Sequence, residues 1–121
     1  MLKNFLIVAA GGGIGAALRY WIFMLVKNEP IPYATLMINI TGSFLLGIIM
    51  ALSLKNEQFS QSAKLFLATG ICGGFTTFSA FSFENLVLLQ QGKYNLVFFY
   101  SITSVLAGIT AAWLGFKIIV H

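Results

Sequence analysis

The sequence predicts an all-α integral membrane protein of four transmembrane helices, the third of them broken near the bilayer midplane. Three observations predict it. Apolar residues make up 59% of the chain and charged ones only 8%, where a soluble domain carries about 25% charged residues. The apolar residues gather into four long stretches, each near the roughly 20 residues needed to cross a hydrocarbon core. The third stretch contains Gly70-Ile71-Cys72-Gly73-Gly74-Phe75-Thr76-Thr77-Phe78-Ser79-Ala80-Phe81. Glycine costs a helix about 1 kcal/mol relative to alanine, so three within five positions invite an interruption. Non-helical backbone survives at that depth only when buried in protein or lining a wet cavity, and broken helices mark ion and substrate sites in transporters. The interruption is the candidate site, and the other spans are its housing.

The whole chain, residues 1–121, reads as one membrane domain, because the four stretches leave no room for a soluble one. Three acids and seven bases could not cover a soluble surface. The net charge of +4 is scattered, which argues against nucleic acid and fits a bilayer as the surrounding partner. Cys72 is the only cysteine and His121 the only histidine. An intramolecular disulfide is excluded, and a transition-metal or haem site has no ligand set.

The first span is expected at about 4–26. Lys3 followed by Phe5 to Ala10 could open a secretory signal, but the apolar stretch continues too far, which favours a retained span. Gly11-x-Gly13-x-x-Ala16 imitates a dinucleotide-binding turn, which needs an acid about 20 residues on. This chain has Tyr33-Ala34-Thr35-Leu36 there, and no parallel sheet to hold the turn. Gly11-x-x-x-Gly15 reads instead as a place where another helix approaches closely. Arg19 lies past the midpoint of the span, where a cation costs at least about 2.5–3.5 kcal/mol. Two readings stand for it: snorkelling to the headgroups, or lining a vestibule that attracts anions.

Lys27 to Pro32 is a turn with two prolines that end one helix and begin the next. The second span is expected at about 33–54, with Thr35, Asn39, Gly42, Ser43 and Gly47 on one face. Small residues there could simply glue helices. Asn39 is different, since an amide brings two donors and an acceptor that are costly in lipid; a site role is favoured over packing. Lys55 to Lys64 reads as a polar loop, followed by the third span at about 65–89 and the fourth at about 96–119. In the fourth, Tyr100 and Ser104 stand one turn apart and suggest a hydroxyl track. Bonding to the helix's own carbonyls is the alternative for each hydroxyl.

Four spans put both termini and the middle loop on one side. That side holds Lys3, Lys55, Lys64 and Lys117; the other holds Lys27 and Lys93, with Arg19 if it snorkels that way. Orientation follows lysine and arginine bias, and here the bias is feeble. Insertion in both orientations is expected, which makes an antiparallel, dual-topology homodimer possible.

Three motifs now stand in order, one per span. They are Gly12-Gly13-Ile14-Gly15-Ala16-x-x-Arg19-Tyr20, then Thr35-Leu36-x-x-Asn39-x-x-Gly42-x-Phe44-x-x-Gly47, then Gly70-x-Cys72-Gly73-Gly74-Phe75-Thr76-Thr77-Phe78-Ser79-x-Phe81. With them the chain resembles the small bacterial fluoride channels, the Fluc or CrcB family, over essentially its whole length. The resemblance implies a passive fluoride-selective channel of the bacterial inner membrane that exports toxic cytoplasmic fluoride. It implies an antiparallel homodimer whose third spans cross at their breaks, with two separate pores. The family's paired pore phenylalanines fall on Phe78 and Phe81, its pore asparagine on Asn39, its arginine on Arg19 and its polar track on Tyr100 and Ser104. A central structural sodium ion would be held by the backbone carbonyls of Gly73 and Thr76 from both subunits. Thr77 and Ser79, inside the third motif, join the expected pore donors, and Glu84 is placed with Arg19 at the vestibule. Ala34, Ala80 and Gly108 depart from the family's usual glycine, threonine and serine.

The chemistry suits fluoride, a small and strongly hydrated anion whose water donors a pore must replace. Asn39 and the hydroxyls can donate, and phenylalanine ring edges carry the positive part of the quadrupole. Phe78 and Phe81 share a face if the helix resumes there. The N-terminus of that half-helix adds partial positive charge. The alternative is a small dual-topology proton-coupled exporter of the small multidrug resistance type. It needs a carboxylate deep in the membrane, for which Glu84 is the only candidate. A helix-gluing subunit of a larger complex would explain the small residues but not the break. No nucleophile, base and orienting group converge, so an enzyme is not expected.

Overall fold

The computed structural model describes residues 1–26 and 32–120. Four membrane-length helices dominate it: α1 (Leu2–Leu25), α2 (Tyr33–Lys55), a third, interrupted span over Gln61–Gln90, and a last helix over Tyr94–Val120. The third span consists of α3 (Gln61–Lys64), a wide-wound π-helical segment (Leu65–Cys72), α4 (Gly73–Phe75) and, after a break, α5 (Phe78–Gln90). The last helix is α6. The expected turn falls mostly at 27–31, outside the described residues, as does His121; Pro32 stands at the N-cap of α2.

The helices associate in two close pairs. α1 lies against the first half of the third span, and α2 runs along α6, with α5 joining at α6. Lipid gives no hydrophobic drive for helices to associate, so contact depends on how closely the backbones approach. The glycines of α1 supply that approach. A β-carbon on Gly11 would lie 2.9 Å from the Cα of Gly70, and one on Gly15 would lie 2.7 Å from the Phe75 nitrogen. The second pair works the same way, with Gly47 on the backbone of Ala112 and Gly115 on the backbone of Phe44. The large side chains point outward: Leu18, Trp21, Leu45, Phe98 and Leu106 are all exposed on the single chain. That is the arrangement of a chain solvated by lipid tails or by another copy.

Two expectations need correction. The third span starts at Gln61, four residues earlier than expected, because the Ser60 hydroxyl accepts from the Ala63 amide at 2.9 Å and caps it. The interruption does not fall on the glycines either. Gly70, Gly73 and Gly74 are all helical, and the chain leaves the helix at Thr76 and Thr77. Gly70 and Gly74 serve to bring this span against α1, and tertiary packing overrides their weak helix propensity.

Candidate functional site

The break is two extended residues, Thr76 (φ −78°, ψ 155°) and Thr77 (φ −149°, ψ 120°). Their hydrogen bonds are redirected rather than lost. Thr76 donates twice to the Cys72 carbonyl, from its amide at 3.0 Å and its hydroxyl at 2.8 Å. Thr77 is held by Asn39 of α2, whose side-chain amide pairs with it as a second backbone would. The Thr77 amide donates to Asn39 Oδ1 at 2.9 Å, and Asn39 Nδ2 donates to the Thr77 carbonyl at 3.1 Å. The Thr77 hydroxyl then accepts from the Ala80 amide at 3.1 Å, capping α5, and lies 3.2 Å from Ser79 Oγ.

The carbonyls of Gly73 to Thr76 all lose their helical donors at the break, two of them because the donor amide is redirected. In a continuous helix the Thr77 amide would bond the Gly73 carbonyl, but Asn39 takes it. The Ala80 amide would bond the Thr76 carbonyl, but the Thr77 hydroxyl takes it. A third carbonyl, that of Gly74, accepts from Arg19 Nε at 3.2 Å. Arg19 thus places its charge at the C-terminal end of the first half-helix, where the backbone dipole is negative. The structure puts it beside the break.

Below Asn39 opens a cavity of about 360 Å³, lined among others by Ser43, Gly73, Thr76, Phe78, Phe81, Ser104 and Gly108. Asn39 keeps one N–H beyond its bond to Thr77. Ser104 Oγ is buried with no hydrogen-bond partner among the described residues. Phe78 and Phe81 share a face as expected, with ring centroids 5.7 Å apart, and Phe81 lies 5.1 Å from the ring of Tyr100. Phe78 itself is 77% exposed on the single chain.

On the far side of Phe81 the polar groups close on Glu84. The Thr35 hydroxyl donates to one carboxylate oxygen at 2.6 Å and the Tyr100 hydroxyl to the other at 2.8 Å. Glu84 is half-buried between α2 and α6, while Thr35 and Tyr100 are buried. Tyr100 and Ser104 therefore do different things: one hydroxyl serves Glu84, while Ser104 lines the cavity with its Oγ buried. Thr35 is the residue that sequence reasoning left among packing groups. Its signal was its place one turn before Asn39 on the same face, opposite an intramembrane acid. The described residues hold no cluster of three or more histidine, cysteine or acidic side chains that could hold a metal ion.

The family model described as "CrcB-like protein, Camphor Resistance (CrcB)" matches residues 6–116. The chain belongs to the CrcB family. Curated CrcB relatives align over nearly all of both chains. The "Fluoride-specific ion channel FluC" of Azobacteroides pseudotrichonymphae is 42% identical, covering 96% of this chain and 95% of its own. Its namesake from Thermus thermophilus is 42% identical over 97% and 95%. That of Hyphomonas neptunium is 45% identical over 94% and 93%. This CrcB protein is a multi-pass membrane protein, with four helices of spanning length and composition.

Proposed function

We propose that this protein is a passive, fluoride-selective ion channel that exports cytoplasmic fluoride across the bacterial plasma membrane. The observation that carries the proposal is the end-to-end likeness to relatives named fluoride-specific channels. The geometry supports it. Groups able to meet an anion gather at the break: Asn39, with an N–H beyond its bond to Thr77, lines the cavity together with Phe78, Phe81 and Ser104, and past Phe81 stand the Tyr100 and Thr35 hydroxyls, both donating to Glu84. Arg19 and the N-terminus of α5 add positive charge at the break, in a medium where charge is weakly screened. Glu84 occupies two donors that an anion arriving past Phe81 would compete for. The course uses no chemistry on the ion, so the protein is a channel and not an enzyme.

The assembly belongs to the same proposal. An antiparallel homodimer would lay the exposed ring of Phe78 and the exposed Gly73 against a second copy instead of lipid. The carbonyls of Gly73 and Thr76, freed by the rerouting at the break, fit a hard monovalent cation such as sodium, whose ligands are oxygens. Its charge would offset the converging carbonyl dipoles.

The proton-coupled exporter is not favoured. The curated relatives carry the fluoride-channel name, and Glu84 holds two hydroxyls instead of facing the cavity at the break. The test is efflux from liposomes that contain only the purified protein. Fluoride is expected to run down its electrochemical gradient while chloride barely moves. Equal fluxes of the two ions, or strict dependence on a proton gradient, would overturn the channel.

A further inference from the structure

Between Leu65 and Cys72 the third span is wound as a π-helix, with the Gly73 amide reaching back five residues to the Ala68 carbonyl. Long π stretches are rare, and those that persist are frequently found at functional sites. The contacts with α1 give this one a purpose. Phe66 and Gly70 with Ile71 meet Gly11, and the Ile71 carbonyl, then Gly74 with Phe75, meet Gly15. From Phe66 to that last pair is two turns at about 4.3 residues each, where an α-helix takes 3.6. Wound as an α-helix from Phe66, the span would bring Gly73 under α1 in place of Gly74.

The difference between two adjacent glycines matters at the break. Gly74, under α1, has no room for a side chain: a β-carbon there would lie 2.9 Å from the Cα of Gly12. Its carbonyl is the one Arg19 reaches. Gly73 is exposed and lines the cavity, and its nearest neighbour to a β-carbon would be the Ala68 carbonyl at 3.7 Å. Rewinding the eight residues as an α-helix would turn everything after them by roughly a third of a turn, close to the step of one residue. That turn would exchange the faces of Gly73 and Gly74 and carry Thr76 off the cavity.

We infer that Leu65–Cys72 is a register-setting segment: one surplus residue, absorbed as π winding, rotates the break so that Gly74 packs on α1 while Gly73 and Thr76 face the cavity. The inference rests on the break being the site of ion passage. It makes an unusual prediction, that losing a residue here is better tolerated than gaining one. Deleting the exposed Thr69 lowers the repeat to about 3.7 residues per turn, which an α-helix accommodates with Gly74 still under α1. Inserting an alanine after Phe66 raises it to about 4.7, more than i to i+5 bonding spans.

The experiment compares the deletion, the insertion and the two combined in the full chain. It reads the temperature at which half the purified protein stays monodisperse in detergent, and fluoride efflux from liposomes. The deletion is expected to keep efflux within about tenfold of the parent. The insertion should abolish efflux, and the combination, which restores the count, should recover it. Adding Gly74→Ala should lower the melting temperature of parent and deletion variant alike, since both keep that glycine under α1. An insertion as active as the parent, a deletion as damaging as the insertion, or Gly74→Ala harmless in the deletion background overturns the register claim. If the parent passes no fluoride the channel reading fails, and the melting temperatures still decide the register.

Discussion

Asn39 has two tasks that compete for one side chain. Its amide fastens Thr77 on both sides, at 2.9 and 3.1 Å, and its remaining N–H is the donor left for an ion. Asn39→Asp keeps the shape but sets an oxygen against the Thr77 carbonyl and removes that donor. Breaking a partly buried bond of this kind costs about 1–3 kcal/mol. Fluoride efflux is expected to fall about fivefold or more in liposomes, since a loss of about 1 kcal/mol is a factor of about five and about 1.4 kcal/mol a factor of ten. Efflux at the parent rate would mean the break holds its shape without the clamp. The phenylalanines need a different substitution. Phe78→Ile and Phe81→Ile keep bulk and apolarity but remove the ring edge, so a pore role predicts a sharp fall in flux from protein that still purifies as the parent does. Unchanged flux in both would reduce them to packing groups. Glu84 shows how a residue in this medium is read by its company. The sequence presents a lone intramembrane acid, and only the fold reveals that Thr35 and Tyr100 supply both its donors.

At the scale of elements, the helices were legible because lipid leaves the chain so few options. A span must satisfy its backbone internally, and the four apolar stretches mark where that happens. Three helix starts, at Leu2, Tyr33 and Tyr94, lie within two residues of expectation. The break falls inside the stretch expected for it and the helix resumes at Phe78, but it lies on the threonines and not on the glycines. Its glycines looked like the weak point, yet the weak point is Thr76-Thr77, because Asn39 competes there for the backbone while α1 holds the glycines in helix. Propensity is local, and both of these partners lie on other spans. Arg19 was ambiguous for the same reason, since the carbonyl it reaches is 55 residues away in sequence. The packing reading of Gly11-x-x-x-Gly15 predicts a contrast. Gly15→Ala would press a methyl to 2.7 Å from the Phe75 nitrogen, whereas Gly13→Ala meets nothing of its own chain within 4 Å. Overpacking of this kind costs about 1–3 kcal/mol, so Gly15→Ala should lose thermal stability in detergent and Gly13→Ala much less. Equal losses would show that α1 tolerates separation from the third span.

At the scale of the whole molecule, the break lies open on the single chain. Gly73 is exposed and Phe78 is 77% exposed, although both line the cavity on which the proposed function depends. The feeble lysine and arginine bias between the two sides permits a second copy to insert upside down. Two breaks crossing on the resulting two-fold axis would bring the carbonyls of Gly73 and Thr76 together from both copies. None of the four can turn to its usual helical donor, because Asn39 and the Thr77 hydroxyl have claimed those amides. Partial negative charges converging away from water cost several kcal/mol for each unsatisfied group. A monovalent cation at the crossing removes that cost, and backbone oxygens suit sodium better than any softer ion. On the proposed assembly such an ion would be structural, sitting between the pores and neutralising the carbonyls at the interface. Mutating Thr76 is a poor test, because every substitution leaves the carbonyl in place. Exchanging sodium for a larger cation is the sharper one, read as dimer stability in detergent and fluoride flux in liposomes. Both are expected to fall, since a larger ion holds four carbonyls further apart than the crossing helices allow. If neither falls, and a high-resolution map has no density on the axis, the carbonyls are satisfied some other way and the structural ion is refuted.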